Sequence, residues 1–226
     1  MNKKNPYSIC TWDTEDGCKD CKIEGKLICK ADKPFREKFI LKHLTFRGTA
    51  FLGLFFIGAF SNNWWLTIAY AIGVVLNFGI LEPRLLCSHC PFYAEKGFIL
   101  HCNTLYGLPK LWKYRPGPMS KTEKVLQAIS GGFVDLFPIL AFIYGDVLIF
   151  INPATSAERI AMVGMTAVIS ALMIQVGGAI RSEVCTKCPN FSCGLNEVPK
   201  SLRDAYIKRN PVMKDAWEKA GYKFDK

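Results

Sequence analysis

Two short cysteine motifs carry the clearest chemical signal in this sequence. The motifs Cys87–Pro91 (Cys-Ser-His-Cys-Pro) and Cys185–Pro189 (Cys-Thr-Lys-Cys-Pro) each place two thiols three residues apart and end in proline. A Cys-x2-Cys pair lets both sulfurs bind one ion, and thiolates are strong ligands for zinc and for iron–sulfur clusters. The sequence therefore predicts metal ligation at both motifs.

A third group of cysteines lies near the amino terminus. Its spacing is Cys-x7-Cys-x2-Cys-x7-Cys, and its members are Cys10, Cys18, Cys21 and Cys29. Four thiolates complete a tetrahedral site without help from another segment. Three Cys-x2-Cys pairs in one chain favour metal binding over the alternative, in which small buried thiols only fill a core.

The remaining six cysteines allow two ligand groupings. They form two triplets: Cys87, Cys90 and Cys102, and Cys185, Cys188 and Cys193. In one grouping each triplet binds its own metal, with His101 or His89 as fourth ligand of the first triplet and a ligand from elsewhere for the second. In the other grouping the two Cys-x2-Cys pairs converge into one four-sulfur site, and Cys102 and Cys193 remain free or accessory. We favour convergence, because repeated units commonly meet about a pseudo-symmetry axis in membrane folds.

Four apolar blocks must position these cysteines. The chain has 226 residues, 50% of them apolar, and a net charge of +10, with its lysines and arginines almost entirely between the blocks. A charge at the centre of a bilayer costs at least a few kcal/mol. The segregation predicts a membrane protein in contact with a lipid bilayer and disfavours nucleic-acid binding.

The predicted fold is an all-α membrane protein with four transmembrane helices in two hairpins. The segments are a Cys-rich amino-terminal part (1–43), a first hairpin (44–82), a Cys-containing loop (83–124), a second hairpin (125–180) and a Cys-containing tail (181–226). Each predicted span is close to the roughly 20 residues that a bilayer requires.

Local signals place several helix boundaries. Residues 35–47 have helical periodicity and are predicted to lie along the membrane surface before the first span. Ser120 and Glu123 predict a capping box at the start of the third span, and Ser156 is the predicted N-cap of the fourth. The tail is predicted to contain two short amphipathic helices.

Four spans put both termini and the 83–124 loop on one side. That side holds every lysine and arginine except Arg159, so the positive-inside rule predicts that it faces the cytoplasm and that the protein lies in the inner (cytoplasmic) membrane. All ten cysteines fall on this side. Because cytoplasmic thiols are kept reduced, metal ligation or thiol chemistry is favoured over disulfides.

Asp135 is the ionisable residue predicted to lie deepest in the membrane, inside the third span. Such an acid indicates a proton relay, a quinone contact or a cation site, and it is the one candidate catalytic residue. With equal weight, it is an acid near the interface that pairs with Arg84 or Arg181. Glu82 is predicted to form interfacial salt bridges.

Other cofactors and chemistries have weaker support. The sequence contains three histidines, His43, His89 and His101, and none is predicted inside a span, which disfavours a haem between the helices. No phosphate-binding glycine loop or hydrolase motif is present.

The metal is left open between zinc and an iron–sulfur cluster. Separated Cys-x2-Cys pairs and nearby histidines favour zinc. The proline after each pair favours iron–sulfur, although the compact Cys-x2-Cys-x2-Cys-x3-Cys-Pro run is absent. In topology and paired Cys-Pro alone, the chain resembles four-helix membrane proteins whose cytoplasmic cysteine–proline clusters exchange electrons with quinones. Its spacing is shorter than theirs, so the resemblance implies no role for any single residue.

The leading hypothesis is an electron-transfer subunit or accessory that links a soluble redox protein or a membrane complex to a lipid-phase carrier such as a quinone. The alternative is a structural zinc-binding scaffold that docks a partner without redox activity. Metal-ion trafficking ranks third, because the spans lack a path of Met, His or Cys ligands. Whether the protein is an enzyme is left open.

Overall fold

The computed structural model describes residues 6–12, 18 and 21–225, so parts of the predicted amino-terminal segment and the last residue lie outside the described residues. Within the described residues the chain is helical. No β-strand occurs among them beyond a single antiparallel bridge between Ile99 and Pro109.

The described chain contains seven α-helices, which are α1 (Lys33–Ser61), α2 (Trp65–Leu76), α3 (Glu82–Leu85), α4 (Lys121–Ile151), α5 (Ser156–Ala179), α6 (Lys200–Arg209) and α7 (Pro211–Lys219). Two π-helical turns, Asn77–Leu81 and Ile180–Cys185, extend α2 and α5. Short 3₁₀ turns form at Cys10–Trp12, Cys87–His89 and Pro91–Ala94.

Four helical stretches of the described chain are long and apolar enough to cross a membrane: Lys33–Ser61, Trp65–His89, Lys121–Ile151 and Ser156–Cys185. Large apolar side chains point away from the protein along them, with Leu52 71% exposed and Ile174 77% exposed. Such surfaces suit contact with lipid tails. The prediction of an all-α protein with four membrane-spanning helices is confirmed at this level.

Helix α1 differs from its prediction because the surface segment at 35–47 and the first span form one continuous helix. Asp32 caps it by accepting a hydrogen bond from the Phe35 N–H at 3.0 Å. The helix ends where Asn62 adopts the left-handed conformation with φ of 50° and its N–H donates to the Gly58 carbonyl. No residue before Asn62 breaks the helical hydrogen bonds, so periodicity alone misplaced the boundary.

The later helix starts follow their capping residues. Ser120 and Glu123 form the predicted capping box of α4. For α5 the cap is Thr155 and not Ser156, because Thr155 has Glu158 three residues later and the two bond reciprocally. The two tail helices, α6 and α7, are confirmed.

The apolar side chains form two separate cores. One lies among the four long helices and includes Leu54, Tyr70 and Phe142. The other combines the amino-terminal segment, the loop between α3 and α4, and the tail after α5, and it includes Phe92 and Tyr206. We call these three segments together the cap.

Hydrogen bonds tie the three parts of the cap together. The Asn103 side chain in the loop accepts from the Asp32 N–H at 2.6 Å and donates to the Lys30 carbonyl at 3.0 Å. The Trp217 indole N–H in the tail donates to the Pro116 carbonyl of the loop at 3.0 Å. The cap is therefore a folded unit although most of it is irregular.

Close packing of α1 on α4 depends on Gly53. A Cβ at this position would overlap the ring of Phe142, which is fully buried. We expect Gly53→Ala to lower the free energy of unfolding by about 1–3 kcal/mol, the usual cost of overpacking a tight core. Thermal unfolding in detergent measures the change. The control is Gly48→Ala in the same helix, where a Cβ meets no atom within 4 Å; equal losses in both variants would contradict the prediction.

Candidate metal centre

Each Cys-Pro motif follows a π-helical turn at the end of a long helix. Asn77–Leu81 precedes the first motif, and Ile180–Cys185 leads directly into the second. Such turns are rare and occur frequently at functional sites. A hydrogen bond of 2.8 Å from the Cys90 N–H to the Cys87 carbonyl then closes the first Cys-x2-Cys turn. The two motifs thus share their local placement as well as their sequence.

Asn190 joins the two motifs. Its side chain is buried and donates to the carbonyl of Leu86, immediately before the first motif, at 3.0 Å. On the other side, the Ile28 N–H of the amino-terminal segment donates to the Lys187 carbonyl inside the second motif at 2.9 Å. Segments that are far apart in sequence are therefore adjacent at the motifs.

Six thiols come together here, and we call them the six-thiol group: Cys87, Cys90, Cys102, Cys185, Cys188 and Cys193. Burial, with a smaller contribution from three neighbouring thiols of the group, raises the pKa of the Cys188 thiol to about 12. Burial also raises the pKa of the Cys90 thiol well above its usual value, and Cys188 is the neighbouring thiol that contributes most. The two motifs are therefore neighbours in the cap, and the convergence of their cysteines on one metal ion stays a prediction.

Backbone N–H groups point at three sulfurs of the six-thiol group. The N–H of Asn190 lies 3.4 Å from Cys188 Sγ, that of Leu195 lies 3.4 Å from Cys193 Sγ, and that of Leu105 lies 3.1 Å from Cys102 Sγ. Hydrogen bonds to sulfur stabilise the thiolate form and tune metal sites. These donors favour sulfurs that carry negative charge.

The four-thiol group, Cys10, Cys18, Cys21 and Cys29, is a second cluster. Burial, with a smaller contribution from the other three thiols, raises the pKa of the Cys29 thiol to about 12. The group lines an open cleft together with Lys38, Lys187 and Arg209. The Asn210 side chain anchors it by accepting a hydrogen bond from the Cys10 N–H at 2.9 Å.

The cysteine sulfurs of the two groups are chemically suited to bind a metal ion, but they are not arranged as a preformed metal site. No three His, Cys, Asp or Glu side chains among the described residues surround a common point with the geometry of a metal site. Burial holds the neighbouring thiols protonated, and a bound cation supplies the positive charge that deprotonated sulfurs require. The arrangement is a cluster of adjacent thiols and not a preformed tetrahedron.

The two candidate histidine ligands have other partners. His89 Nδ1 lies 2.6 Å from the Gly117 carbonyl oxygen, and its Nε2 lies 3.7 Å from the Glu123 carboxylate. His101 Nδ1 lies 2.7 Å from the Glu95 carboxylate. A metal-ligating histidine usually bonds a carbonyl or carboxylate through its other ring nitrogen, so these contacts leave both ligand groupings open.

Asp135 pairs with Arg47 at 2.5 Å, and not with Arg84 or Arg181. Pro138 explains why Arg47 is there: it has no N–H to bond the carbonyl of Val134 one turn earlier. The Arg47 guanidinium and the Tyr70 hydroxyl donate to that carbonyl instead. The sequence predicts Arg47 on the cytoplasmic side, within the bounds of the first hairpin, but not its partner. A proline four residues after Val134 is the signal that another donor is needed within the helices.

Glu82 connects this ion pair to the six-thiol group. Its carboxylate accepts a weak hydrogen bond from Asn77 at 3.4 Å, in place of the predicted arginine salt bridge. It lies within electrostatic range of Arg47 and Asp135 on one side and of Cys87 on the other. Polar groups therefore continue from the long helices into the cap.

Comparison with known proteins adds no relative: no protein-family model matches the chain, no curated protein is significantly similar, and no solved structure matches its fold. The function is inferred below from the thiols, the buried polar groups and the helices.

Proposed function

We propose that this protein is a membrane electron-transfer protein that binds metal through the cysteines of its cap. Its electrons pass between a soluble redox partner and a lipid-phase carrier of the quinone class. The observation that carries the proposal is the adjacency of the two Cys-x2-Cys motifs, which a 3.0 Å hydrogen bond from the Asn190 side chain to the Leu86 carbonyl holds together. Together the pairs supply four sulfurs, the number that a zinc site or an iron–sulfur cluster needs.

The metal ligands in this proposal are Cys87, Cys90, Cys185 and Cys188, with the four-thiol group as a second site. An iron–sulfur cluster bound by these thiolates supplies one-electron chemistry. The protein contributes the surroundings: the cap buries the sulfurs, and backbone N–H groups such as that of Asn190 donate to them. Both effects tune the potential of such a site.

The order of the polar groups supports a route through the protein. The four-thiol group faces an open cleft, the six-thiol group lies deeper in the cap, and Glu82 leads from there to Arg47 and Asp135. Basic residues at the cleft, among them Lys38 and Arg209, suit an acidic soluble partner, since complementary charge speeds encounter.

The Arg47–Asp135 pair is the proposed point of contact with the lipid-phase carrier. Arg47 lies about 21 Å along α1 before its end at Ser61, which places the pair inside a hydrocarbon core of about 30 Å, toward the cap. The Asp135 side chain is nevertheless 47% exposed. A carboxylate that opens toward lipid at this depth is available to a carrier with a carbonyl or hydroxyl oxygen.

We place the cap in the cytoplasm, with the four long helices in the cytoplasmic membrane as two hairpins. The excess of lysine and arginine in the cap segments supports this orientation. A reducing compartment also keeps the ten cysteines available as ligands.

A structural zinc protein is the second candidate. Turns and short helices make up most of the described cap. Between α3 and α4, seven residues form 3₁₀ turns. Irregular chain of this kind is often stabilised by zinc. In that case the cap is a rigid platform for a partner, and the sulfurs carry no electrons.

Metal analysis together with an anaerobic visible spectrum tests the proposal. We expect the protein purified without oxygen to contain iron and to show visible absorption that bleaches when dithionite is added, because iron–sulfur clusters are coloured and reducible. A colourless protein with zinc and no iron would refute electron transfer and support the scaffold. A protein that retains neither metal would refute both.

A further inference from the structure

Two buried tyrosines of the cap have hydroxyl groups without a partner among the described residues. Tyr206 in α6 is 0% exposed and Tyr114 in the loop is 9% exposed, and neither hydroxyl makes a hydrogen bond to the part of the chain that the structure describes. A buried hydroxyl without a partner is energetically costly, so native proteins seldom keep one without a reason. The ring of Phe191, edge-on at 5.4 Å, packs against Tyr206 and accounts for its ring but not for its hydroxyl.

The two tyrosines lie between the two cysteine groups. Tyr206 lines the same cleft as the four-thiol group. Tyr206 and Tyr114 also belong to one buried cluster of the cap, against which Cys10, Cys29 and Cys90 pack. For Tyr114 the leading neighbour is Cys90 of the six-thiol group. Tyr206 therefore borders the four-thiol group, Tyr114 borders the six-thiol group, and the tyrosines are neighbours of each other.

We propose that these hydroxyls are hydrogen-bond donors to cysteine sulfurs of the metal-loaded cap, Tyr206 toward Cys29 and Cys10, and Tyr114 toward Cys90. The inference rests on the proposed metal binding, since a metal-bound thiolate is the acceptor. It assigns the tyrosines as positioning residues that link the two sites.

The chemistry of the pair supports this role. A tyrosine hydroxyl keeps its proton at neutral pH, so both buried hydroxyls are available as hydrogen-bond donors. The nearby groups that become negative on metal binding are the thiols. A hydrogen bond to a thiolate from a neutral phenol satisfies the buried donor and stabilises the metal ligand at once.

The test compares Tyr206→Phe and Tyr114→Phe with the wild type in the full-length protein, purified with its metal and placed in lipid nanodiscs. Each variant keeps its ring and loses only the hydroxyl. We expect the metal to be released to excess EDTA roughly 10–100-fold faster than from the wild type, the usual effect of removing a partner of a metal ligand. If the metal is iron–sulfur, the midpoint potential falls as well, because hydrogen bonds to sulfur raise it.

Tyr222→Phe is the matched control, because that hydroxyl bonds Asp204 at 2.8 Å and its ring packs on Trp217 in the tail. It should release metal at the wild-type rate. Combining the tyrosine variants with cysteine variants assigns each tyrosine to one site. With Cys18→Ala and Cys21→Ala present, the six-thiol group is the remaining metal site. Tyr114→Phe should then speed metal release more than Tyr206→Phe does.

Two results would overturn the inference, and only one of them would also refute the proposed function. If the wild type holds metal and both tyrosine variants release it at the wild-type rate, the hydroxyls are not donors and the proposed function stands. If the wild type holds no metal, the proposed function and this inference fail together.

Discussion

Replacing Cys90 and Cys188 by alanine is expected to remove the metal of the six-thiol group and to unfold much of the cap. Each thiol belongs to a different motif, and the Asn190 side chain beside the second motif bonds the Leu86 carbonyl before the first at 3.0 Å. Structural zinc contributes on the order of 10 kcal/mol of binding energy in small metal-dependent folds. Losing it removes the positive charge that lets buried sulfurs remain thiolates.

Metal content per chain and limited proteolysis of the cap measure this effect. The four-thiol group should keep its metal, so content falls to the share held by that site and does not vanish. Full metal content in the double variant would show that the two pairs do not share an ion.

The matched double variant, Cys102→Ala with Cys193→Ala, decides between the two ligand groupings. Both cysteines belong to the same group, and their thiols are also buried and accept backbone hydrogen bonds. If the two Cys-x2-Cys pairs form one four-sulfur site, this variant retains the metal. If each triplet binds its own ion, it loses as much as the first variant.

The long helices and their caps were predictable because the signals for them are local. Hydropathy located four spans, and the spacing of Ser120 and Glu123 identified the start of α4. The same logic failed by one residue at Thr155, where two hydroxyl residues are adjacent and only one has a glutamate three residues later. It also failed at 35–47, because amphipathic periodicity does not tell whether a helix continues into the membrane.

The site was predictable in its parts and not in its contacts. Paired cysteines indicated metal binding, but which side chain joins the motifs depends on the tertiary position of Asn190. The partner of Asp135 depends on how α1 is rotated against α4, so Arg47 could not be chosen from spacing alone. Tyr114 and Tyr206 carry no motif, and only their burial between two thiol groups makes them notable.

Replacing Arg47 by leucine is expected to destabilise the helical bundle by about 1–3 kcal/mol, because it leaves the half-exposed Asp135 carboxylate without its cation and the Val134 carbonyl with one donor fewer. Arg47 is 13% exposed, and it satisfies both the Asp135 carboxylate and the Val134 carbonyl that Pro138 leaves without a helical donor. Chemical or thermal unfolding in detergent measures the loss.

A second substitution added to Arg47→Leu shows which contact of Arg47 stabilises the protein. Arg47→Leu with Asp135→Leu removes the stranded carboxylate, and the Tyr70 hydroxyl still donates to the Val134 carbonyl at 3.3 Å, so most of the lost stability should return. A double variant no more stable than Arg47→Leu alone would show that the guanidinium acts mainly on the Val134 carbonyl. In that case, adding Pro138→Ala, which supplies a backbone N–H for this carbonyl, should restore the stability. If the paired leucines fold well yet electron exchange with a quinone is lost, the ion pair serves the carrier and not the fold. The two roles are separable because the Asp135 carboxylate binds Arg47 of α1 while its side chain remains 47% exposed.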